Sequence, residues 1–474
     1  MRLTQYRHVY LVGAGGISVS AIAKLLLHHR IKVSGQDAAK SDITDELAAL
    51  GARITTGEAG TVLPDGVDLL VYSEAVPADD ERRMLARLRG IPEFAAAAWW
   101  GEFSRNKKVI AISGTNGKST TTAMVGLMLA KAGYDPTVVV GTRVLSWDSN
   151  IRIGASDWLV LEADEYAAKM LHYKPLIAVI TNIAPDHLDY YKDLDDIASH
   201  FQQWIRGMRT HGTLVLNRDD PASRKLSAEG HAVRWFGVAG SSGVRAAGIT
   251  QTSGEHLGRA GNLNFNIVDS ADDWGYVKMH VPGEHNIANA VAAAVAADSA
   301  GVPRKKIREA LAEFKGTWRR FELVGGYTGA LVVSDYGHHP DGIRATLKAA
   351  RDWYPFHRIL VLFQPHHRNR TKKLFDEFVA SFGRADEVII SEIYDVSGRE
   401  DSRDRDVSSK DLVEAVKRSS KIKASYAPDL AEAERTLREK IKSEDVVIIM
   451  GAGDVDRVAR NLTKTPSPSG RGKG

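Results

Sequence analysis

Cysteine is absent from this chain of 474 residues. Disulfides, thiolate nucleophiles and thiolate-bound metals are therefore excluded, and a reducing compartment fits the composition. An excess of either charge is missing too. The formal net charge is +4, and part of it lies in the tail SGRGKG. So small an imbalance over this length does not mark a nucleic-acid binder. Long apolar runs are also lacking. None reaches the ~18 residues a membrane span requires. The N-terminal MRLTQYRHVYLVGAGG enters a strand pattern at once, without the apolar segment or cleavage site of a signal peptide. The expectation is a cytoplasmic protein with neither a membrane nor a nucleic-acid partner. No repeat of solenoid period is visible.

What is present suffices for about three domains of ordinary size. The first hundred or so residues alternate strand and helix patterns: HVYLVGAGG, ISVSAIAKLLLHH, IKVSGQD, DITDELAALGA and VDLLVYS. That order predicts a parallel sheet with helices on its faces. A second α/β run begins at VIAIS. Residues 236–282 are rich in Gly, Ser and Thr, with short alternating pieces, and read as an antiparallel β insertion. A third α/β run starts near FKGTWRRFELVG. The tail TPSPSGRGKG reads as disordered. The predicted class is α/β, with a Rossmann-like domain over 1–104, a P-loop ATPase-type domain with a β insertion over 105–315, a second Rossmann-like domain over 316–464, and a tail over 465–474.

The strongest chemical signal is VIAISGTNGKSTTTAMVGLML: a buried strand, glycines, Lys-Ser, then a helix. Glycines let backbone N–H groups turn inward around an anion, and the helix N-terminus adds a favourable partial charge. Gly114, Thr115, Asn116, Gly117, Lys118, Ser119 and Thr120 are the expected phosphate-binding residues. Lys118 can neutralise β- and γ-phosphates, and the Ser119 hydroxyl can ligate Mg²⁺. The full Walker pattern places a glycine where this chain has Ile112, so the loop is a shortened variant. The plainer alternative is a glycine-rich strand-to-helix turn.

Two polar clusters follow strands downstream. LVLEADEY carries Glu162, Asp164 and Glu165; VITNIAPDHLDYY carries Asn182, Asp186, His187 and Asp189. Ligands of parallel sheets gather at the carboxyl ends of the strands, so both clusters should share an edge with the glycine loop. Carboxylate and imidazole suit Mg²⁺ or Mn²⁺ beside phosphates. Glu162 and His187 are the expected metal ligands; Asp164, Glu165 and Asp189 read as loop polarity. At the N-terminus, GAGGIS is an incomplete dinucleotide fingerprint, with Ser18 where a third glycine belongs and Asp37 ending the next strand. It supports nucleotide or pyrophosphate binding, with a bare structural turn as the alternative. The third run offers SDYGHHP and FQPHHRNRTKKLFDEF, where Arg368 and Arg370 suit carboxylates or phosphates. Either loop taken alone reads rather as an exposed polar loop whose Pro or Thr starts a helix.

GTNGKST, EADEY, DHLDYY, GEHNIANA, WRRFE, SDYGHHP, QPHHRNRT and MGAGD stand in the order and spacing of one family. Over nearly its whole length, tail excepted, the chain resembles the Mur ligases of peptidoglycan synthesis, and among them the branch that adds L-alanine. The resemblance implies ATP-dependent amide formation with UDP-N-acetylmuramate and L-alanine as partners, and a monomer or weak homodimer. The lactyl carboxylate would take the γ-phosphate, and the amine would attack the acyl phosphate.

Site roles follow from the same resemblance. Lys118, Glu162 and His187 would be catalytic, with Ser119, Glu162 and His187 as metal ligands. His285 and Asn286 would lie near the ATP base and metal, and Arg320 and Asp335 would contact ATP from a closing C-terminal domain. Tyr336, His338, His366 and Arg370 would shape the amino-acid pocket. Gly15, Gly16 and Ile17 would lie under the UDP pyrophosphate, with Asp37 and Ser73 toward the uridine. In the QPH loop, His367 and Arg368 replace the arginine and tyrosine usual in the alanine-adding branch. A recycling ligase that attaches a ready-made tripeptide is the near alternative. A non-catalytic nucleotide sensor is the distant one.

Overall fold

The computed structural model describes residues 3–57, 63–187, 190–240, 243–253, 261–270, 272–395, 404 and 406–464. The tail 465–474 and Asp189 lie outside the described residues. The chain divides into two compact units. One comprises Met1–Ala247, Ile267–Gly275 and Ala288–Leu311; the other comprises Gly248–Asn266, Tyr276–Ile287 and Ala312–Gly474.

The first unit opens with β1 (His8–Val12), β2 (Lys32–Asp37), β3 (Arg53–Thr56), β4 (Leu69–Tyr72) and β5 (Glu93–Ala95), interleaved with α1 (Ile17–His28), α2 (Asp42–Ala49), α3 (Glu81–Leu88) and α4 (Ala96–Ser104). The order is β3-β2-β1-β4-β5, with every pair parallel. β1 is buried along its whole length, as a central strand covered on both faces must be. Sheet order reverses between β1 and β4, which places the turn after β1 at a switch point.

A second sheet holds β6 (Lys108–Ser113), β7 (Thr137–Val144), β8 (Ser149–Arg152), β9 (Trp158–Glu162), β10 (Ile177–Ile180), β11 (Thr213–Asn217), β12 (Ala232–Gly237), β13 (Val244–Thr252), β14 (Asn262–Asp269) and β15 (Asp272–Met279). Its helices are α5 (Lys118–Lys131), α6 (Leu194–Arg206), α7 (Glu284–Ser299) and α8 (Arg304–Glu313). The order is β15-β14-β13-β12-β11-β10-β6-β9-β7-β8. β6 runs parallel to β9 on one side and to β10 on the other, so the loop after β6 also sits where the connections diverge.

Two features differ from the sequence reading. Residues 236–282 do not form a wholly antiparallel insertion. β12 lies parallel to β11, and Phe236↔Val244 and Gly237↔Arg245 pair β12 with β13 in parallel as well. Alternation of apolar residues marks a strand but carries no direction. The antiparallel pair β7–β8 was not anticipated at all.

The other unit contains β16 (Glu322–Tyr327), β17 (Ala330–Asp335), β18 (Ile359–Phe363), β19 (Glu387–Ser391), β20 (Lys423–Ala427) and β21 (Val446–Met450), ordered β16-β17-β21-β18-β19-β20. β16 pairs antiparallel with β17; the other pairs are parallel. The helices are α9 (Pro340–Trp353), α10 (Arg368–Lys373), α11 (Phe375–Ser381), α12 (Ser409–Ser419), α13 (Leu430–Lys440) and α14 (Asp456–Lys464). Val333, Val361 and Ile448 enter one core layer, while their neighbours Val332, Leu360 and Ile449 enter another. Burial on both faces explains why these strands read as unbroken apolar runs.

Candidate active site

The glycine loop is built by contacts that exclude larger residues. Gly114 (φ 130°) and Gly117 (φ 85°) have positive φ, and a Cβ would lie 2.2 Å from Thr181 Oγ1 at the first and 2.2 Å from Asn289 Oδ1 at the second. Asn182 braces the loop: its carbonyl accepts from Thr115 N at 2.9 Å and its side-chain oxygen from Asn116 N at 3.0 Å. Thr181 Oγ1 donates to the Asn116 carbonyl at 2.6 Å. Gly117 is the N-cap of α5 and supplies no capping side chain. Ser41, Asp80 and Asp193 do cap α2, α3 and α6. The first N–H groups of α5 are thus left for an anion.

Lys118 Nζ donates to the carbonyls of Gly114 (2.7 Å) and Thr115 (3.2 Å) and to Glu165 Oε1 (2.9 Å). Burial alone would lower its pKa. The carboxylates of Glu165, Asp164 and Glu162 outweigh burial and hold it above the ordinary lysine value, so the ammonium is charged. The reading of Glu165 as loop polarity is overturned. Its side chain is 3 % exposed and ion-paired to Lys118 at 2.8 Å. The turn that follows it is unusual, because Ala167 (φ 53°) and Ala168 (φ 54°) are both left-handed. Tyr191 adds a hydroxyl bond to the Glu165 carbonyl.

Ser119 Oγ donates to Glu162 Oε1 at 2.9 Å, and the Gly141 N–H donates to Glu162 Oε2 at 2.6 Å. Burial pushes the Glu162 carboxyl up. Among the described residues, no three His, Asp or Glu side chains converge to hold an ion. What this edge offers is the Ser119–Glu162 oxygen pair. That fits Mg²⁺, which keeps most of its shell as water and phosphate oxygen and takes few protein ligands. His187 (φ 53°) has its Nε2 3.8 Å from Glu165 Oε1 and its ring 4.7 Å from that of Tyr166. Asp164 is paired with Lys169 at 2.8 Å. Thr120 is buried in the first turn of α5.

The N-terminal loop is a second uncapped helix start. Gly16 is the N-cap of α1 without a side-chain bond. The Gly15 N–H donates to Asp37 Oδ2 at 2.7 Å, and Ala39 N donates to Asp37 Oδ1 at 3.2 Å. A Cβ on Gly13 would lie 2.9 Å from Ser73 Cβ. Gly15, Gly16, Asp37 and Ser73 are thus gathered around one turn, and Ile17 follows with its side chain 36 % exposed.

In the other unit, Asp335 is buried and accepts from Phe321 N (2.8 Å), Gly337 N (2.8 Å) and Thr346 Oγ1 (3.0 Å). It shapes the turn next to Arg320, whose guanidinium lies 4.9 Å from the Tyr336 ring. His285 is exposed, and Gly283 leaves room for its ring; a Cβ there would lie 2.4 Å from His285 Cε1. Asn286 is buried, donating to the Pro282 carbonyl at 2.6 Å.

Tyr336, His338 and His366 stand in a row, with ring separations of 5.0 and 6.1 Å. Burial, helped by the Arg370 charge, pushes His338 down to about 3, so it is neutral at physiological pH. Arg370 Nη1 is buried with no hydrogen-bond partner among the described residues, which suits an arriving carboxylate. Arg368 faces elsewhere. It donates to Asp395 (2.7 Å), Glu392 (3.3 Å) and the Val407 carbonyl (2.7 Å). The arginine that departs from the alanine-adding pattern is therefore occupied by its own acidic partners.

Asn182, named in the sequence reading only as one polar residue of its cluster, braces the loop, and Asn289, Thr181 and Gly141 are further residues of this region that the sequence reading passed over. Of those three, Asn289 had a signal, lying three residues beyond Asn286 in GEHNIANA.

A glycine loop opening α5 with uncapped helix N–H groups, on a mainly parallel sheet with two further α/β sheets, is an architecture suited to nucleotide phosphates. Family models agree: "Mur ligase family, catalytic domain" matches residues 8–108, "Mur ligase middle domain" 112–297, and "Mur ligase, glutamate ligase domain" 319–453. The chain belongs to the Mur ligase family. It is 36% identical over 460 residues to the UDP-N-acetylmuramate–L-alanine ligase of Salinibacter ruber, covering 96% of this chain and 94% of that protein. It is 37% identical over 461 residues to the enzyme of that name from Sorangium cellulosum, covering 96% of each. The crystal structure of UDP-N-acetylmuramate-alanine ligase from Thermotoga maritima superposes with a TM-score of 0.81 at 26% identity, over 96% of this chain and 98% of that one. A murein peptide ligase from Psychrobacter arcticus shares the fold, with a TM-score of 0.69 at 22% identity and coverage of 97% and 98%. Among the described residues, no helix is long and apolar enough to cross a membrane.

Proposed function

We propose that this chain is an ATP-dependent ligase that joins L-alanine to the lactyl carboxylate of UDP-N-acetylmuramate, making a peptidoglycan precursor in the cytoplasm. Residues 1–104 would hold the sugar nucleotide, 105–315 ATP, and 316–464 the amino acid. The observation that carries the reading is the cluster at the end of β6 and β9: a charged Lys118 beside uncapped N–H groups, with Ser119 and Glu162 2.9 Å apart.

A carboxylate is a poor acyl donor until it acquires a leaving group. In the first step a lactyl oxygen attacks the γ-phosphorus, the bridging bond to the β-phosphate breaks, and ADP departs. In the second the alanine nitrogen attacks the acyl carbon, loses a proton, and phosphate leaves. The protein's part is positioning and charge neutralisation. Lys118 and the α5 N–H groups neutralise the phosphate oxygens. Ser119 and Glu162 would hold Mg²⁺, and His187 a second ion; when bound, Mg²⁺ offsets the charge that builds on those oxygens. Arg370 receives the alanine carboxylate, and His338, being neutral, adds no competing charge.

The test is phosphate release with UDP-N-acetylmuramate and, in turn, L-alanine, L-serine, glycine and the tripeptide. L-alanine is expected to give the highest kcat/KM. Turnover with the tripeptide alone would replace this reading with the recycling one.

A further inference from the structure

The β7–β8 hairpin touches both glycine-loop regions of the first unit. On β8, Asn150 is 3 % exposed. Its Nδ2 donates to the Ile17 carbonyl at 2.7 Å and to Ser20 Oγ at 3.1 Å, both in the first turn of α1. Its Oδ1 accepts from Lys24 Nζ at 2.9 Å. Lys24 is itself buried, and it completes its bonds with Ser149 Oγ (3.1 Å) and Glu46 (2.8 Å). A buried ammonium is tolerated only when its donors are met, so this network holds one arrangement. On β7, the Gly141 N–H holds Glu162, which in turn receives the Ser119 hydroxyl. The pairing is regular at Val139↔Ile151 and at Val144↔Ser149, and irregular between them. Asn150 therefore lies across from the 140–143 stretch that contains Gly141.

We propose that this hairpin is a strut that sets the reach from the sugar-nucleotide loop to the γ-phosphate site, with Asn150 as its positioning residue and Lys24 as the anchor of Asn150. The inference rests on the functional reading above, which assigns the two loops to the two phosphate-bearing substrates. A lactyl oxygen must arrive in line with the γ-phosphorus, and a small misplacement is costly. One short element that fixes the first turn of α1 with one strand and Glu162 with the other makes that distance a property of the hairpin. Neither Asn150 nor Lys24 touches a reacting group.

The experiment uses the full chain. Wild-type amide synthesis is measured first, along with acyl phosphate trapped as its hydroxamate. Asn150→Asp keeps the acceptor for Lys24 and loses both donors to α1. Its kcat and hydroxamate yield are expected to fall about tenfold or more, with the ATP KM within about twofold and Tm lowered, since the Ile17 carbonyl loses a donor. Ser20→Ala removes one acceptor and should give a smaller change in the same direction, whether or not Asn150→Asp folds. At the other end, Gly141→Ala puts a Cβ 2.7 Å from Glu162 Oε1. If the hairpin is one strut, the losses from Asn150→Asp and Gly141→Ala are not multiplicative in the double variant. Multiplicative losses, an unchanged kcat in Asn150→Asp or Ser20→Ala, or a loss confined to Tm would overturn the strut alone. A wild-type chain with no amide synthesis would overturn the functional reading and the strut with it.

Discussion

The two glycine loops of the first unit are alike in backbone and opposite in charge. Each follows a buried parallel strand, each turns through a glycine of positive φ (Gly13 at 76°, Gly117 at 85°), and each starts a helix with no capping side chain. After β1, the loop N–H of Gly15 is met by an acid, Asp37. After β6, the loop carbonyls of Gly114 and Thr115 are met by a cation, Lys118, itself paired with Glu165. On the proposed function, the difference follows from the work each loop would do. A loop that only grips a pyrophosphate can rely on backbone donors and a helix terminus. A loop whose phosphate is transferred must also stabilise charge that moves, which calls for a lysine, a hydroxyl and a carboxylate.

The largest predicted effect tests the cationic side. Lys118→Met should lower kcat for amide synthesis by about 10³-fold, the scale of losing one main charge stabiliser. It also leaves Glu165 buried without its cation, at a cost of about 3 kcal/mol in stability. The double variant Lys118→Met/Glu165→Gln should recover Tm and not kcat, separating chemistry from folding. A Lys118 variant with near-normal kcat would erase the contrast between the loops.

Glu162→Gln should cost less, about 10²-fold in kcat, with a higher Mg²⁺ requirement. Burial raises the Glu162 pKa, so its proton is held to higher pH and an arriving cation must displace it. In the wild type, the Mg²⁺ concentration for half-maximal rate should therefore rise as pH falls. In the glutamine variant that pH dependence should flatten. A magnesium titration at several pH values checks both, and identical slopes would remove Glu162 from the metal site.

Much of this contrast was legible in the sequence. Lys-Ser after a strand and glycines is a pattern that phosphate binding demands and an ordinary turn does not. The carboxyl-edge rule likewise carried Glu162 to Ser119 from strand order alone. The partner of Lys118 was not legible. EADEY offers three acids, and nothing in their spacing says that Glu165 is the one that reaches Lys118; the left-handed Ala167 and Ala168 that follow are likewise announced by no alanine propensity. Arg368 was misleading in the same way. In QPHHRNRT it stands as an extra charge beside Arg370, whereas its partners Glu392 and Asp395 come from beyond the following strand. The β7–β8 hairpin, with SWDSN between apolar pieces, lacked the Asn-Gly or Asp-Gly signal that marks a tight turn. Direction in 236–282 was hidden because alternation is the same read either way.

The smallest effect bears on the other loop. Asp37→Asn retains one oxygen for the Gly15 N–H and loses the charge and the second acceptor, now used by Ala39 N. The change should act on binding, since on the proposed function no bond forms or breaks at this loop. A lost charge-assisted bond is worth roughly 1.5 kcal/mol, so the KM for UDP-N-acetylmuramate should rise about tenfold while kcat stays within about twofold. The sign is informative. A carboxylate beside a pyrophosphate would repel it, and then the asparagine would lower KM. A raised KM means Asp37 faces a donor on the substrate or holds the loop open for it; a lowered KM means the loop binds despite its acid. Either result with unchanged kcat keeps this loop a grip. A fall in kcat that matches Lys118→Met would make the two loops equal partners in the chemistry and dissolve the distinction between them.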